Sequence, residues 1–370
     1  MTGRVLLFSA VFLLRRTLIT AASQSLSTNP ATPYNLGALG RPAGTRHAQK
    51  GNSMKSKFLI AAAAIAMLMP IAASAQFLGK NEEKTTGNSM PQNFWSAKPT
   101  KLNPYVAPNK PHWKLSEILA SHKGQTDWVQ PIVRNKHQEA DYISLGVGKK
   151  TKQMMYGDDR VVFIVWDGAL KVSIEGKEPF TATKGFMVNV PFRHMFTLES
   201  VGDKPALRFE VRRAGVMPLY ALSETPDAVA GHTYTKVRGT PGPAKDDNNP
   251  TYVDYMKEFN GTEKAYGGKF VWDDGFTSNI LRGKAAASVP PDTALGHFHN
   301  DFNEFWFIME GKIGIKIEGM PYFTTEPGDI MTAAQGRWHR AGNDPGAPWS
   351  TRVPFNPRPP ILHNFEATGD

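Results

Sequence analysis

The 370-residue chain contains no cysteine. It can therefore form no disulfide, no thiolate metal ligand and no cysteine nucleophile, and cysteine-based zinc fingers are excluded. Long hydrophobic runs are missing as well. The apolar run at 58–72 has 15 residues, whereas a membrane-spanning helix needs about 20.

The first 75 residues have the pattern of a targeting sequence. Two lysines follow Met54, the apolar run comes next, and Ala73-Ser74-Ala75 supplies a small-residue cleavage site. We predict a signal peptide at 54–75, cleaved after Ala75, and a periplasmic or secreted mature protein without stable membrane insertion. An uncleaved membrane anchor is the alternative, which the shortness of the apolar run disfavours. Residues 1–53 stay unassigned and are consistent with an upstream mis-start.

Acidic residues are absent from this leader, and their absence changes the meaning of the net charge. Residues 1–75 hold eight Lys/Arg and no Asp or Glu, so the whole-chain charge of +10 becomes +2 for residues 76–370. A strongly basic protein would raise the question of nucleic-acid binding. Here the basic character belongs mostly to the leader, and no nucleic-acid partner is predicted.

The mature chain divides by composition into polar stretches and β-rich stretches. A helix is predicted within 112–121, where Trp113, Leu115, Ile118 and Leu119 recur at helical spacing. Short apolar runs broken by Gly, Pro, Asp and Asn then indicate strands. The predicted segments are an N-terminal arm with a short helix (76–126), a first β-domain (127–212), a connecting segment (213–265), a second β-domain (266–355) and a C-terminal tail (356–370).

An internal repeat relates the two β-domains. Residues 168–191 align without a gap to residues 311–334 at an offset of 143, and turn glycines such as Gly168 and Gly311 coincide. Each copy alternates short apolar runs with glycine turns. This pattern predicts an antiparallel barrel or jelly roll and not a βαβ sheet.

Four residues with metal-binding side chains lie in the second copy. His297 and His299 are two residues apart, so on a strand both side chains point to one face. Glu304 begins the next apolar run, and His339 lies on a later strand. Three imidazoles and one carboxylate inside one barrel would form a nitrogen and oxygen site for a divalent first-row transition metal.

The spacing of these residues resembles the two motifs of the cupin superfamily. The matching residues are His297, His299, Glu304 and Gly311 for the first motif, and Gly328, Gly336, His339 and Asn343 for the second. Two motif positions differ, because Ala334 replaces a proline and Pro291 replaces a glycine. The resemblance to a bicupin implies an all-β fold of two cupin-type jelly-roll β-barrels with a short N-terminal arm and few helices. The alternative for the site is a cupin barrel that never holds a metal.

The first copy lacks most of these donors. At the same offset, His297 corresponds to Met154, His299 to Tyr156 and Glu304 to Val161. His194 can be matched to His339 only with a two-residue gap. We therefore predict a degenerate, metal-free first barrel in which His194 is packed or hydrogen-bonded.

The resemblance implies a range of activities and does not select one. We predict a metal-dependent enzyme, a dioxygenase, other oxidoreductase or related lyase, acting on a small organic molecule. The alternative is a non-catalytic periplasmic cupin that binds a small ligand or metal. The expected cofactor is one divalent metal (Fe, Mn, Ni, Cu or Zn), and pairing through the sheets makes a homodimer the expected assembly.

Two residues near the ligands are candidates for further roles. Glu304 is the candidate catalytic ligand. Arg337 shares the face of His339 if the strand is regular, and it could then hold a substrate carboxylate. A solvated turn residue is the alternative for Arg337. Trp306, on the face of Glu304, is either a pocket wall or ordinary barrel core.

Overall fold

The computed structural model describes residues 93–240, 249–273, 275–284, 295–343, 346–358 and 361–367. The predicted leader, the predicted signal peptide and the start of the arm lie outside these residues. Within the described ranges, no helix is long and apolar enough to cross a membrane. The export prediction therefore stays a prediction.

The described chain is built almost entirely from antiparallel strands. It opens with β1 (His112–Trp113) and α1 (Leu115–Ser121). The first barrel contains β2 (Trp128–Arg134), β3 (Gln138–Leu145), β4 (Met154–Met155), β5 (Val161–Asp167), β6 (Ala169–Ile174), β7 (Phe180–Ala182), β8 (Phe186–Val190), β9 (Phe196–Val201), β10 (Ala206–Arg213) and β11 (Leu219–Tyr220). Next come β12 (Tyr252–Asp254) and α2 (Tyr255–Phe259).

The second barrel repeats the first. It contains β13 (Tyr266–Asp273), β14 (Phe276–Lys284), β15 (His297–Phe298), β16 (Glu304–Glu310), β17 (Ile313–Ile317), β18 (Phe323–Thr325), β19 (Ile330–Ala333), β20 (His339–Asn343), β21 (Trp349–Asn356) and β22 (Asn364–Phe365). Strands β4, β5 and β7 recur 143 residues later as β15, β16 and β18. The predicted all-β fold of two β-barrels with few helices is confirmed.

Each barrel is made of two facing sheets with the same strand order. In the first barrel the orders are β12-β8-β5-β10-β3-β2 and β11-β4-β9-β6-β7. In the second they are β1-β19-β16-β21-β14-β13 and β18-β17-β20-β15-β22. Matching the orders shows that β1 and β12 occupy equivalent edges. The arm thus supplies an edge strand to the second barrel, and the connecting segment supplies one to the first.

The predicted helix is shorter than its apolar spacing indicated. His112 and Trp113 pair with Met331 and Ile330 as strand β1, and the helix begins only at Leu115. The backbone N–H of Leu115 donates to the Asp329 carboxylate at 2.9 Å. Because the carboxylate accepts a free N–H of the first turn, Asp329 of the second barrel fixes where α1 starts.

Within the described part of the chain, three buried apolar clusters hold the barrels together. One fills the first barrel and includes Phe163 and Leu198, and another fills the second and includes Trp306 and Ile315. The largest joins residues of both barrels, among them Phe209 and Phe307 with ring centroids 5.4 Å apart. The six-stranded sheets therefore pack against each other, which leaves each barrel interior as a separate compartment.

Candidate metal centre

The four predicted ligand residues meet inside the second barrel. His297 lies on β15 and is paired in register with His339, the first residue of β20. Glu304 begins β16. Phe298, between His297 and His299 in the sequence, packs against Trp338 at 4.7 Å between ring centroids. The alternation of a strand therefore turns the histidines into the barrel and the phenylalanine away from them.

The donor atoms converge on the carboxylate of Glu304. Its Oε2 lies 2.8 Å from His339 Nε2, 3.2 Å from His299 Nε2 and 3.5 Å from His297 Nε2. One donor atom from each of the four residues falls within 4.8 Å of the others, and all four side chains are buried. Donors on opposite sides of a metal at about 2.1 Å each are separated by about 4.2 Å, so the spacing fits a single ion.

Hydrogen bonds behind two of the rings determine which nitrogen faces inward. His299 Nδ1 lies 2.9 Å from the carbonyl of Leu362, and His339 Nδ1 lies 3.0 Å from the carbonyl of Arg337. A carbonyl only accepts, so each Nδ1–H must donate, and in the neutral ring Nε2 keeps its lone pair. This arrangement is the usual support of a metal-binding histidine.

Burial and neighbouring charge set the protonation of the cluster. Burial, followed by the charge of His339, holds the pKa of His297 well below its ordinary value. Burial alone would raise the pKa of Glu304, but contacts with the three histidines outweigh it and hold that pKa well below its ordinary value. At neutral pH the carboxylate is therefore ionised and His297 is neutral, and both are the metal-binding forms.

A buried histidine nitrogen without a hydrogen-bond partner is also compatible with a bound cation. His297 Nε2 is buried and has no hydrogen-bond partner within the described structure. A divalent cation bound by His297, His299, Glu304 and His339 would supply the missing partner. The donor set of three nitrogens and one oxygen suits a transition metal.

His363 is a functional candidate that the sequence motifs do not contain. Its ring centroid lies 4.7 Å from that of His297 and 5.0 Å from that of His299. Burial lowers its pKa to about 4. It lies in the predicted C-terminal tail, where β22 pairs with β15. The tail is therefore part of the second barrel, and a two-residue strand carries no periodicity that would reveal it.

Arg337 does not join the cluster. Its guanidinium donates to the carbonyls of Asn103 and Glu318, each at 2.7 Å, and lies over the ring of Tyr105. Strand β20 begins only at His339, so Arg337 lies before the strand. The alternation of side chains that would have placed Arg337 on the face of His339 therefore does not apply. Arg337 is buried and fastens the N-terminal arm, which corrects both sequence-based interpretations.

The barrel interior next to the cluster contains an aromatic side chain and a buried cation. Trp306 points inward as predicted, with its ring 5.8 Å from that of His339. The guanidinium carbon of Arg352 lies 4.6 Å from the centre of the Trp306 ring. Arg352 is 4% exposed. Sequence motifs gave no sign of Arg352, because it lies on the last long strand and outside both motifs.

In the first barrel, apolar side chains occupy the equivalent positions. Tyr156, Val161 and Phe196 belong to its buried core, and Met154 packs against them. Phe196 opens β9 as His339 opens β20, so the counterpart of His339 is Phe196. The gapped alignment of His194 with His339 is thereby corrected. His194 Nδ1 lies 2.8 Å from the carbonyl of Phe192, as expected for a hydrogen-bonded histidine.

No family model matches the sequence, and no curated protein matches it. Solved structures are similar in fold. A cupin 2 conserved barrel domain protein from Leptotrichia buccalis shares 9% identity, with a TM-score of 0.47, over 70% of this chain and 99% of that one. A salicylate 1,2-dioxygenase from Pseudaminobacter salicylatoxidans shares 11% identity, with a TM-score of 0.48, over 66% of this chain and 83% of that one.

An oxalate decarboxylase from Lactobacillus farciminis, solved as a formate complex, is also similar. It shares 12% identity, with a TM-score of 0.44, over 72% of this chain and 91% of that one. Identities this low concern the fold and assign no activity to the chain.

Proposed function

We propose that this chain is an exported, metal-dependent enzyme of cupin fold that acts on a small organic molecule, as an oxygenase, another oxidoreductase or a related lyase. The observation that carries the proposal is the convergence of His297, His299, Glu304 and His339 on one buried point. Four protein donors leave one or two positions open on a metal that prefers five or six ligands. A divalent metal bound there would polarise or activate a substrate at those positions.

The residues around the cluster orient its donor atoms and exclude water from it. The carbonyls of Leu362 and Arg337 hold His299 and His339 with Nε2 inward. The ionised Glu304 supplies negative charge and one oxygen donor. The ring of Trp306 borders His339 on the interior side. A dry, fixed donor set of this kind costs little reorganisation when a substrate binds.

Metal-dependent turnover tests the proposal. The chain with its leader replaced by a cleavable export signal would be purified, analysed for metals, and offered a panel of small enolic, phenolic and carboxylic compounds, with oxygen uptake and product formation followed. We expect turnover of at least one compound, abolished in His297→Ala and in Glu304→Ala variants that stay folded. His194→Ala, in the first barrel, serves as the matched control and should keep full activity.

The same experiment distinguishes the proposed enzyme from the alternative, a non-catalytic binding protein. A non-catalytic cupin would retain its metal and bind a ligand tightly without oxygen uptake or product. The near-complete burial of all four donors is compatible with such a storage or sensing role. Turnover that is equal in the wild type and in both ligand variants would contradict the enzyme proposal.

A further inference from the structure

One loop of the second barrel supports two of the four ligands. It comprises residues 334–337 and comes just before strand β20. The carbonyl of Arg337 faces Nδ1 of His339 at 3.0 Å. The backbone N–H of Gly336 donates to the carbonyl of His299 at 2.8 Å. A displacement of this loop would therefore disturb both His299 and His339.

The N-terminal arm holds this loop by hydrogen bonds. The side-chain amide of Asn103 donates to the carbonyl of Gln335 at 2.8 Å, and the carbonyl of Asn103 accepts from the Arg337 guanidinium at 2.7 Å. The hydroxyl of Tyr105 donates to the carbonyl of Thr332 at 2.8 Å and accepts from the first N–H of the loop at 3.4 Å. The arm thus binds both ends and the middle of the loop.

The arm also reaches the turn that follows His299. The side-chain amide of Asn300 donates to the hydroxyl of Ser96 at 2.9 Å. The side chain of Gln335 in turn donates to the carbonyl of Asn300, which joins this turn to the loop. Residues 96–105 of the arm therefore contact the chain just after His299 and just before His339.

The two barrels differ at the place where the arm packs on the loop. Gly336 has a φ of +79°, and a Cβ there would lie 2.7 Å from Cδ of Pro99, so glycine leaves room for the arm. Its repeat equivalent, 143 residues earlier, is Arg193, whose φ is 60°. A side chain therefore begins in the first barrel where Pro99 lies in the second, and it donates to the carbonyl of Gly157 at 2.9 Å. The metal-free copy ties its loop with its own side chain, whereas the second copy uses the arm.

We propose that residues 96–105 are a positioning segment of the metal site. Docked on the loop 334–337, they hold His299 and His339 where both can bind one ion. The inference rests on the proposed metal site and adds how that site is kept assembled. Detachment of the arm then weakens metal binding without any change in a ligand residue.

Cobalt affinity of the metal-free full chain tests the positioning role. Asn103→Ala removes the bond to Gln335, and Tyr105→Phe removes the hydroxyl but keeps the ring that lies over Arg337. The double variant should bind cobalt(II) on the order of 10–100-fold more weakly, the usual effect of losing a support behind metal ligands. Each single variant should show part of this loss. The visible spectrum of the cobalt-saturated double variant should also differ from that of the wild type, because the ligand geometry is changed.

Two matched variants separate positioning from general stability. Asn109 lies in the same arm and makes two hydrogen bonds with the backbone of Arg134, at 2.8 and 3.0 Å, on the first barrel. Tyr234 donates to the carbonyl of Pro218 at 3.4 Å in the connecting segment. Asn109→Ala and Tyr234→Phe should keep the wild-type cobalt spectrum and an affinity within about threefold of the wild-type value, roughly the scatter expected for remote sites.

A second measurement uses the wild-type chain alone. Coupling between two binding events is reciprocal, so a metal that binds more tightly when the arm is docked must hold the arm in place by the same factor. Lys101 is exposed, and tryptic cleavage after it reports how often the arm detaches. Saturating cobalt should slow this cleavage about 5–150-fold, the usual range of such coupling. Cleavage after the exposed Lys236 of the connecting segment should keep its rate.

The outcomes distinguish this inference from the proposed function. If cobalt does not bind the wild type, the metal site is overturned and the positioning role with it. Cobalt binding with equal affinity in the wild type and the double variant would overturn the positioning role alone. An equal loss of affinity in Asn109→Ala and Asn103→Ala, or equal cleavage after Lys101 with and without cobalt, would overturn it as well. Weaker binding confined to the Asn103 and Tyr105 variants, together with metal-dependent protection of the arm, would support it.

Discussion

Two imidazoles of the cluster are fixed by hydrogen bonds to carbonyl groups outside the cluster. His299 depends on the carbonyl of Leu362, and His339 on that of Arg337. The four ligands could be predicted from the sequence because their spacing follows two known motifs. His363 and Arg352 could not, since a lone histidine in a tail and a lone arginine in an apolar strand have no defining spacing.

The lowered pKa values of the buried histidines predict that the metal-free protein is sensitive to acid. A histidine whose pKa is lower in the folded state than in the unfolded state destabilises the fold once the pH falls below the unfolded value of about 6.5. For His363 the folded value is about 4. The free energy of unfolding should therefore fall between pH 6.5 and 4, by on the order of 1–3 kcal/mol.

Urea unfolding of the metal-free protein at pH 7, 6 and 5 measures this dependence. His363→Gln should flatten it, because the substituted side chain does not titrate. His232→Gln, at an exposed position, should leave it unchanged. An identical pH dependence in His363→Gln and in the wild type would count against the assignment of His363.

At the scale of elements, the apolar runs and the internal repeat predicted the longer strands, but they did not show which segments supply the edge strands of each barrel. The two aligned runs contain strands β6, β7 and β8 of the first barrel and β17, β18 and β19 of the second, because apolar residues and turn glycines recur in register. The edge strands β1, β12, β11 and β22 have two or three residues. Such strands are too short for a period-two pattern to be visible. No strands were therefore predicted within the arm, the connecting segment or the tail.

Asp329 of the second barrel contacts residues of the N-terminal arm that are far from it in the sequence. Its carboxylate accepts from the backbone N–H of Leu115 and of Glu326, and it also contacts His112. Asp329→Ala should lower the free energy of unfolding by about 1–3 kcal/mol, because two buried or half-buried N–H groups lose their acceptor. Urea unfolding measures the change.

A neighbouring carboxylate offers the control for this substitution. Glu326 forms an exposed ion pair with Lys312 at 2.8 Å. Exposed pairs contribute about 0–1 kcal/mol, so Glu326→Ala should have a much smaller effect. Equal losses in both variants would show that Asp329 does not anchor α1.

The C-terminal segment is expected to strengthen metal binding by supporting two of the ligand histidines. Leu362 supplies the acceptor behind His299, and β22 pairs with β15 at His297. Removing residues 359–370 should weaken metal affinity about 10–100-fold, the usual effect of losing such a supporting contact. Metal affinity would be measured by transfer of the metal to a coloured chelator. A chain that lacks only residues 368–370 would be the control. Equal affinity after both truncations would contradict the structural role of the tail.

At the scale of the whole molecule, the two barrels share one core and exchange edge strands. The run at 161–166 alternates between the interior of the first barrel and the core that joins both barrels. Because both faces of the strand are buried, the sequence there is continuously apolar. The sequence therefore predicted strands and a repeat, but it could not indicate which face meets the other barrel.

The shared core predicts that both barrels unfold together. Metal bound by the second barrel should then raise the melting temperature of the entire chain, with about 2.7 kcal/mol of stabilisation at a free metal concentration 100 times its dissociation constant. Differential scanning calorimetry should show one transition that moves as a unit. Two transitions, only one of them sensitive to metal, would indicate barrels that unfold independently.

The metal content of the purified chain tests the central claim most directly. Elemental analysis of protein exported from cells should find close to one transition-metal ion per chain, and it should find almost none in folded His297→Ala and Glu304→Gln variants. His194→Ala should keep the wild-type content. A wild-type protein without metal even after incubation with each candidate ion, or variants that retain the full amount, would contradict the account.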